Sequence, residues 1–222
     1  IILFGEKVSL EDEDIRERLD REIMANAYFH SQTILNMKRA ARYFPVIEPI
    51  LKEQNLPNDF KYLPIIESNL ANVTSPAGAK GYWQFMPETG KQYKLNITTY
   101  VDERHDPIKS TEAACHYMLN MYEIFGDWSL VLASYNCGPG NVSKAIRRSG
   151  GKQNYWNIRK NLPKETQGYL PAFLATMYIF EYHKEHGIVP NKAVANLFAT
   201  DTVAIKNHMT FKQVSDLLSH DT

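Results

Sequence analysis

A mainly α-helical fold is what this sequence predicts, and three observations carry the prediction. Apolar residues recur at three- and four-residue intervals through most of the 222 positions, and alternating runs that would build half-buried strands are few. Asp-Pro, Gly and Gly-Pro-Gly punctuation falls where helices would start and stop. A hydrophobic content of 44% suffices for one good core, so one main domain with appendages is expected.

Residues 10–26 are densely charged, with Ile15, Leu19 and Ile23 at four-residue spacing. That is a narrow apolar seam on an otherwise wet helix, which should lie along the outside of the domain. Over 31–54, Ile34, Met37, Ala41 and Phe44, then Ile47 and Leu51, mark a second helical stretch. Pro45 and Pro49 predict a break or a new helix start near 45. A further helix should follow Leu56-Pro57 and end near Leu70, with Pro64 inside it as a source of a kink. Residues 71–87 read as a loop, and 88–104 as a short helix with an irregular polar stretch.

Asp106-Pro107 reads as the N-cap and first position of a helix reaching about Phe125, closed by Gly126. Asp127 caps the next helix, on which Trp128, Val131, Leu132 and Tyr135 share a face, and Asn136-Cys-Gly-Pro-Gly140 stops it. A short helix over 141–148 follows, and Gly150-Gly151 opens a loop. A long helix should run from about Lys164 to about His186, with Tyr169, Phe173, Met177 and Phe180 inward and Gly187 at its end. Past Pro190 the pattern changes to a strand at 201–206 and a short amphipathic helix at 210–218. The expected organisation is an N-terminal helical extension (1–54), a main helical domain (55–190) and a small C-terminal α/β tail (191–222).

Charge is balanced, with 25 basic against 25 acidic residues, which argues against nucleic acid as the main partner. No apolar run approaches the ~20 residues needed to span a bilayer. Ile1-Ile-Leu-Phe4 is too short for a signal peptide and lacks an initiator Met, so the chain reads as a processed or truncated product. Neither Cys115 nor Cys137 has metal-ligand or Cys-x-x-Cys spacing, and no metal or cofactor is expected. Cys115 shares a helical stripe with Ile108, Tyr122 and Phe125 and reads as a small core hydrophobe, while a disulfide to Cys137 stays open for an exported protein. His183 and His186 read as solvated side chains that complement a helix end.

The chemistry-bearing stretch is Glu67-Ser68 followed by Ser75-Pro-Ala-Gly-Ala-Lys-Gly-Tyr-Trp-Gln-Phe-Met-Pro87. Phe60, Leu63, Glu67 and Leu70 fall at i, i+3, i+7 and i+10, so the glutamate shares the inward face of its helix. A carboxyl held there without a cationic partner has its pKa raised by desolvation and can serve as a general acid near neutral pH. Asp102, Glu103 and Asp106 form the nearest acidic cluster downstream, and solvation and helix capping account for them.

These residues resemble the first motifs of the soluble lytic transglycosylase and goose-type lysozyme superfamily: Glu67-Ser68, then Ser75, Gly78, Ala79, Gly81, Gln84, Met86 and Pro87 at matching spacing. Tyr82-Trp83 stand where the family often has Leu-Met, which bears on subsite shape because aromatic faces suit pyranose rings. Ser134-Tyr-Asn-Cys-Gly-Pro-Gly140 resembles the third motif, and Pro163-Lys-Glu-Thr-Gln-Gly-Tyr169 the fourth. The four matches extend from Glu67 to Pro171 and look most similar to the membrane-bound lytic transglycosylase D group.

The resemblance implies a lysozyme-like helical domain enclosing a glycan-binding groove, with peptidoglycan as substrate and Glu67 as the acid. It implies that Ser75, Gly81, Tyr82, Gln84, Met86, Tyr135, Asn136, Glu165 and Tyr169 bind substrate or shape the site, with Tyr135 orienting the Glu67 carboxyl. Tyr169 is expected as a cleft wall or a hydrogen bond near that carboxyl, and Glu165 as a substrate contact or a complement to its helix dipole. It further implies a bacterial periplasmic or envelope location, membrane association through a segment before residue 1, and a tail resembling the start of a LysM-type module. Oligomeric state is not legible.

With one strong carboxylate instead of the usual two, a single-acid mechanism fits, in which the muramyl 6-hydroxyl replaces water and a 1,6-anhydro product forms. A hydrolytic muramidase and a non-catalytic peptidoglycan-binding protein are the alternatives.

Overall fold

A computed structural model describes residues 2–8, 13–28, 30–191, 205 and 207–218, most of them helical. Helix α1 (Glu13–Tyr28) buries Ile15 and Leu19 and lies along a later helix, α9 (Thr166–Glu181). Helix α2 (His30–Glu53) runs unbroken through Pro45 and Pro49, against the expected break. Both prolines, and Ala41 one turn before Pro45, are solvent-exposed, so water can satisfy the carbonyls of Ala41 and Pro45 that lose their N–H partners.

The expected helix before Leu70 is instead two short pieces, a 3-10 turn over Asn58–Tyr62 and α3 (Leu63–Ser68). Pro64 causes no kink because it occupies the first turn of α3, where its missing N–H has no intrahelical partner to lose. Asn69 and Leu70 then take left-handed backbone angles (φ 54° and 51°) and end the helix. Next come α4 (Pro87–Gln92) and a 3-10 turn over Glu103–His105.

The caps read from the sequence act as expected. Asp106 Oδ1 accepts from the N–H groups of Ile108 and Lys109, each at 2.9 Å, at the start of α5 (Pro107–Phe125), and Gly126 closes it at φ 64°. Asp127 Oδ1 accepts from Leu130 N–H at 2.9 Å at the head of α6 (Trp128–Cys137). Helices α7 (Pro139–Arg148) and α8 (Tyr155–Ile158) follow. Helix α9 is shorter than expected at both ends, and a turn carries the chain from Tyr182 to Gly187. Helix α10 (Phe211–Leu218) matches the expected amphipathic helix, whereas the expected strand at 201–206 lies outside the described residues except for Ile205, which is irregular.

Phe60, Leu63, Trp83, Leu130, Tyr155 and Phe173 are fully buried in one contiguous core. A hairpin not foreseen in the sequence docks on it. Strands β1 (Ile2–Leu3) and β2 (Glu6–Lys7) pair antiparallel around Phe4 and Gly5, both at positive φ as a tight two-residue turn requires. Phe4 stacks on Phe60 with ring centroids 4.5 Å apart, and its N–H donates to Asp59 Oδ2 at 2.6 Å.

Cys115 is buried and its thiol is pushed up to about 12 by desolvation, as a core residue should be. Two of its expected stripe partners, Ile108 and Tyr122, are exposed; the buried face of α5 runs through Ala114, Met118, Met121 and Phe125 instead. Both cysteines are free. His183 and His186 are less solvated than expected, with Nδ1 of the first 2.7 Å from the Ile188 carbonyl and Nε2 of the second 3.3 Å from the Tyr178 hydroxyl.

Candidate active site

Glu67 sits on the last turn of α3, partly buried, between the 75–87 loop and helices α6 and α9. Tyr169, one turn into α9, donates its hydroxyl proton to Glu67 Oε1. Burial pushes the carboxyl up to about 7; the Tyr169 hydrogen bond draws it down, and the negative charge of Glu165 adds to the rise. No ion pair among the described residues involves Glu67. With Oε1 engaged by Tyr169, the labile proton belongs on Oε2. A carboxyl so placed can act as a general acid near neutrality.

Tyr135 is the second phenol beside Glu67, and the negative carboxylate contributes to the rise of its own pKa well above the ordinary tyrosine value, after burial. The expected hydrogen bond from Tyr135 to Glu67 is not made. Tyr135 donates instead to the Trp83 carbonyl at 2.7 Å, which fastens the loop to α6, and Tyr169 takes the orienting role. Tyr135 lies edge-on to Tyr117 and Phe85, with centroids 5.2 Å and 6.2 Å away.

The loop is held in place by residues that carried no motif signal. Arg104, buried to 3% exposure, donates through Nη1 to the carbonyls of Gly78 and Phe85, each at 3.0 Å, and forms a two-point pair with Asp102 at 2.8 and 2.7 Å. Asp102 caps the 3-10 turn, as capping was expected to account for it, with Oδ1 accepting from Arg104 N–H at 3.3 Å, but it is not a merely solvated carboxylate: Arg104, with Lys80 at 3.3 Å, holds it well below the usual carboxylate range. Glu103 pairs with Lys109, and Asp106 caps α5, so this cluster offers no second acid to Glu67.

Ser68 Oγ lies 2.8 Å from the Tyr82 carbonyl and 2.9 Å from that of Pro64, which latches α3 to the loop and gives the Glu-Ser pair its structural reason. Gly81 has φ 79°, and a Cβ there would sit 1.8 Å from the Arg104 carbonyl oxygen. Tyr82 and Trp83 are core residues, not faces offered to a sugar. The Tyr82 hydroxyl meets that of Tyr43 at 2.9 Å, and fully buried Trp83 donates to Thr111 Oγ1 at 2.8 Å.

Gln84, itself at φ 50°, folds its amide back on the carbonyls of Gly81 (2.8 Å) and Val73 (3.1 Å). Ser75 Oγ accepts from Ala79 N–H at 3.0 Å, closing the turn ahead of it. Gln84, exposed Met86 and Tyr135 line one cavity of about 300 Å³, floored by Tyr93, Tyr117 and Met121. Larger hollows of about 780 and 730 Å³ contain none of the motif side chains.

The third and fourth motifs meet. Thr166 Oγ1 donates to Asn136 Oδ1 at 2.7 Å, and Asn136 Nδ2 donates to Glu165 Oε1 at 3.4 Å. Glu165 itself is exposed at the head of α9 and makes no capping hydrogen bond there.

A first expected result concerns Tyr169→Phe. Loss of the donated hydrogen bond destabilises the Glu67 carboxylate, so the basic limb of the pH profile moves to higher pH. Turnover at pH 7 falls on the order of tenfold, because a hydrogen bond to a charged group is worth about 1.5–3 kcal/mol. Initial rates from pH 5 to 9 measure it; an unchanged limb would mean the phenol does not act on Glu67.

Among known proteins, the chain is 37% identical over 183 residues to membrane-bound lytic murein transglycosylase D of Escherichia coli, a match covering 80% of this chain and 39% of that protein. It is 29% identical over 116 residues to the soluble lytic murein transglycosylase of the same organism, covering 50% of this chain and 18% of that one. The crystal structure of the 70 kDa soluble lytic transglycosylase of E. coli superposes with a TM-score of 0.57 at 23% identity, over 77% of this chain and 30% of that one. That likeness bears out the expected lysozyme-like helical fold. The chain thus spans well under half the length of these relatives. Residues 44–158, which carry Glu67, the loop and the Tyr135-Asn136 corner, match the transglycosylase SLT domain, and the chain belongs to that family.

Proposed function

We propose that this chain is the catalytic part of a peptidoglycan lytic transglycosylase of the bacterial periplasm or cell envelope. It cleaves the β-1,4 bond between N-acetylmuramic acid and N-acetylglucosamine and leaves a 1,6-anhydro-N-acetylmuramic acid end. The names of its murein-acting relatives support the substrate class. The observation that carries the chemistry is the Glu67 carboxyl, sheltered by two phenols and poised near pH 7, with the Asp102, Glu103 and Asp106 carboxylates all engaged elsewhere.

In the first step Glu67 Oε2 gives its proton to the glycosidic oxygen as the C1–O4 bond breaks, and the Tyr169 hydrogen bond stabilises the carboxylate that forms. The muramyl 6-hydroxyl then returns a proton to Glu67 while O6 bonds to C1. No water is consumed, and the enzyme is restored. Ser75 keeps its hydroxyl proton for the glycan because Oγ is an acceptor within its own turn. The cavity beside Gln84, Met86 and Tyr135 stands at the small end of ligand sites, which run from about 300 to 1,000 Å³, and suits one saccharide unit of a longer strand.

Digestion of purified, peptide-free glycan strands tests this. Mass spectrometry is expected to find products one water lighter than hydrolysis would give. Reducing ends without that loss would make the protein a hydrolytic muramidase, and binding without turnover would make it a peptidoglycan-binding protein.

A further inference from the structure

The hollow of about 730 Å³ is built from three elements that carry none of the site motifs: the turn of the N-terminal hairpin, the 3-10 turn over Asn58–Tyr62, and the end of α9 with Tyr182 beyond it. It is separate from the groove around Glu67. Tyr178, on its wall, stands nine residues beyond Tyr169, a rise of about 14 Å and half a turn round α9. Its polar groups are unspent. Tyr62 is buried to 9% exposure and lines the hollow, yet its hydroxyl has no hydrogen-bond partner among the described residues. Burial, with Glu181, Asp59 and Glu48 nearby, pushes that phenol up to about 12, so it keeps its proton and can donate it to a ligand. Glu181 enters no ion pair among the described residues, and Asp59 accepts from Phe4 N–H through Oδ2 and keeps Oδ1. Tyr182, 45% exposed, leans on Tyr178 with ring centroids 4.9 Å apart.

We propose that this hollow is a second saccharide-binding site, which holds a neutral pyranose segment of a glycan strand away from the groove where the strand is cut. That the strand is murein rests on the proposed function above. A strand gripped at two places leaves more slowly than one gripped at a single place, so the site serves retention on the polymer and not the chemistry at Glu67.

The lining selects the ligand class. Glu181 and Asp59 disfavour an anion, whether a phosphate or the carboxylates of a peptide stem, because like charges brought together are costly. A cation is disfavoured too. Lys61 Nζ, on the same wall, is bonded to Glu48 at 2.7 Å and lies 5.3 Å from the centroids of the Phe44 and Tyr62 rings, so the protein's own ammonium already fills the cation place against Tyr62. A neutral polyol with flat C–H faces satisfies what is left. Its hydroxyls donate to Glu181 and Asp59, an oxygen accepts from Tyr62, and a ring face lies on Tyr182. The volume falls within the range of about 300 to 1,000 Å³ for ligand sites and is more than twice that of the cavity beside Gln84.

The test titrates the full chain with the β-1,4-linked tetramer of N-acetylglucosamine and follows backbone amides by 15N NMR, for the wild type, Tyr62→Phe and Tyr182→Ala. Saturable shifts are expected at 58–62 and 177–182, as a set distinct from any around Glu67. Tyr62→Phe deletes one oxygen and keeps the ring in place. It is expected to weaken binding in the hollow by about threefold to tenfold, the worth of one neutral hydrogen bond. Tyr182→Ala, at an exposed position, weakens it on the order of tenfold. Neither change alters the affinity read from amides around Glu67. Absence of shifts at the hollow, or equal weakening at both places, overturns the inference. So does a titration in which methylammonium, and not the tetramer, moves the amides of the hollow. If the wild-type protein proved not to cut glycan, the proposed function would fail, while the tetramer titration would still decide whether the hollow binds saccharide.

Discussion

Replacing Glu67 with Gln is expected to abolish turnover and, at pH 8, to make the protein more stable. The activity loss is at least about 10³-fold, within the range for removing a positioned general acid. Gln keeps a carbonyl oxygen that can accept from Tyr169, so the packing around it survives. The stability gain follows from linkage. The carboxyl has a pKa of about 7 in the folded protein against 4.5 for an ordinary glutamate. Below pH 4.5 both states hold the proton and the site costs nothing. Between 4.5 and 7 the unfolded chain releases a proton that the native state retains, so wild-type stability falls as pH rises, and the loss is complete above 7. At 1.36 kcal/mol per unit this amounts to about 2–3 kcal/mol once partial access to the cleft is allowed for. In a chain of this size that is a rise in Tm of about 4–12 °C at pH 8, shrinking toward zero at pH 4. Retention of more than a tenth of the activity, or equal Tm values at pH 8, would refute the assignment of position 67.

The features legible in the sequence are those set by local chemistry. Asp106, Pro107 and Gly126 fix the ends of α5 because a cap needs only its own neighbours, and Asp127 does the same for α6. Glu67 was legible because an acidic side chain on an apolar stripe is conspicuous without knowing what covers it. The features missed depend on distant partners. The prolines of α2 predicted a break because nothing local says that their side of the helix faces water. The stripe read through Glu67 spanned two short helices whose junction at Leu63 is decided by packing. Tyr135 and Tyr169 are equally plausible partners for Glu67 by motif. Only the fold determines that the first is committed to the Trp83 carbonyl. Arg104 had no signal, since its task is to bind two carbonyls 26 and 19 residues away.

That dependence on Arg104 makes Gly81 the most sensitive backbone position in the loop. Two separate demands converge there. Its φ of 79° costs an L-residue roughly 1–2 kcal/mol. In addition, a Cβ would stand 1.8 Å from the Arg104 carbonyl oxygen and 2.7 Å from its carbon, atoms of a backbone that cannot swing aside. Arg104 is pinned by Asp102 and in turn pins Gly78 and Phe85, so relief must come by moving the loop. Moving the loop strains the Ser68–Tyr82 latch, the Tyr135–Trp83 bond and the Trp83–Thr111 bond together. Gly81→Ala is therefore expected to cost more than about 3 kcal/mol, a drop in Tm of roughly 6–12 °C, and most of the activity. Gly78→Ala is the matched control: it too has positive φ, at 91°, but a Cβ there meets nothing within 4 Å, so its cost should stay near the conformational 1–2 kcal/mol. Thermal unfolding of the two variants side by side separates strain from collision. Equal losses would mean that the approach of Arg104 to the loop is looser in solution than a 1.8 Å clash allows, and that the frame around Glu67 depends on other contacts.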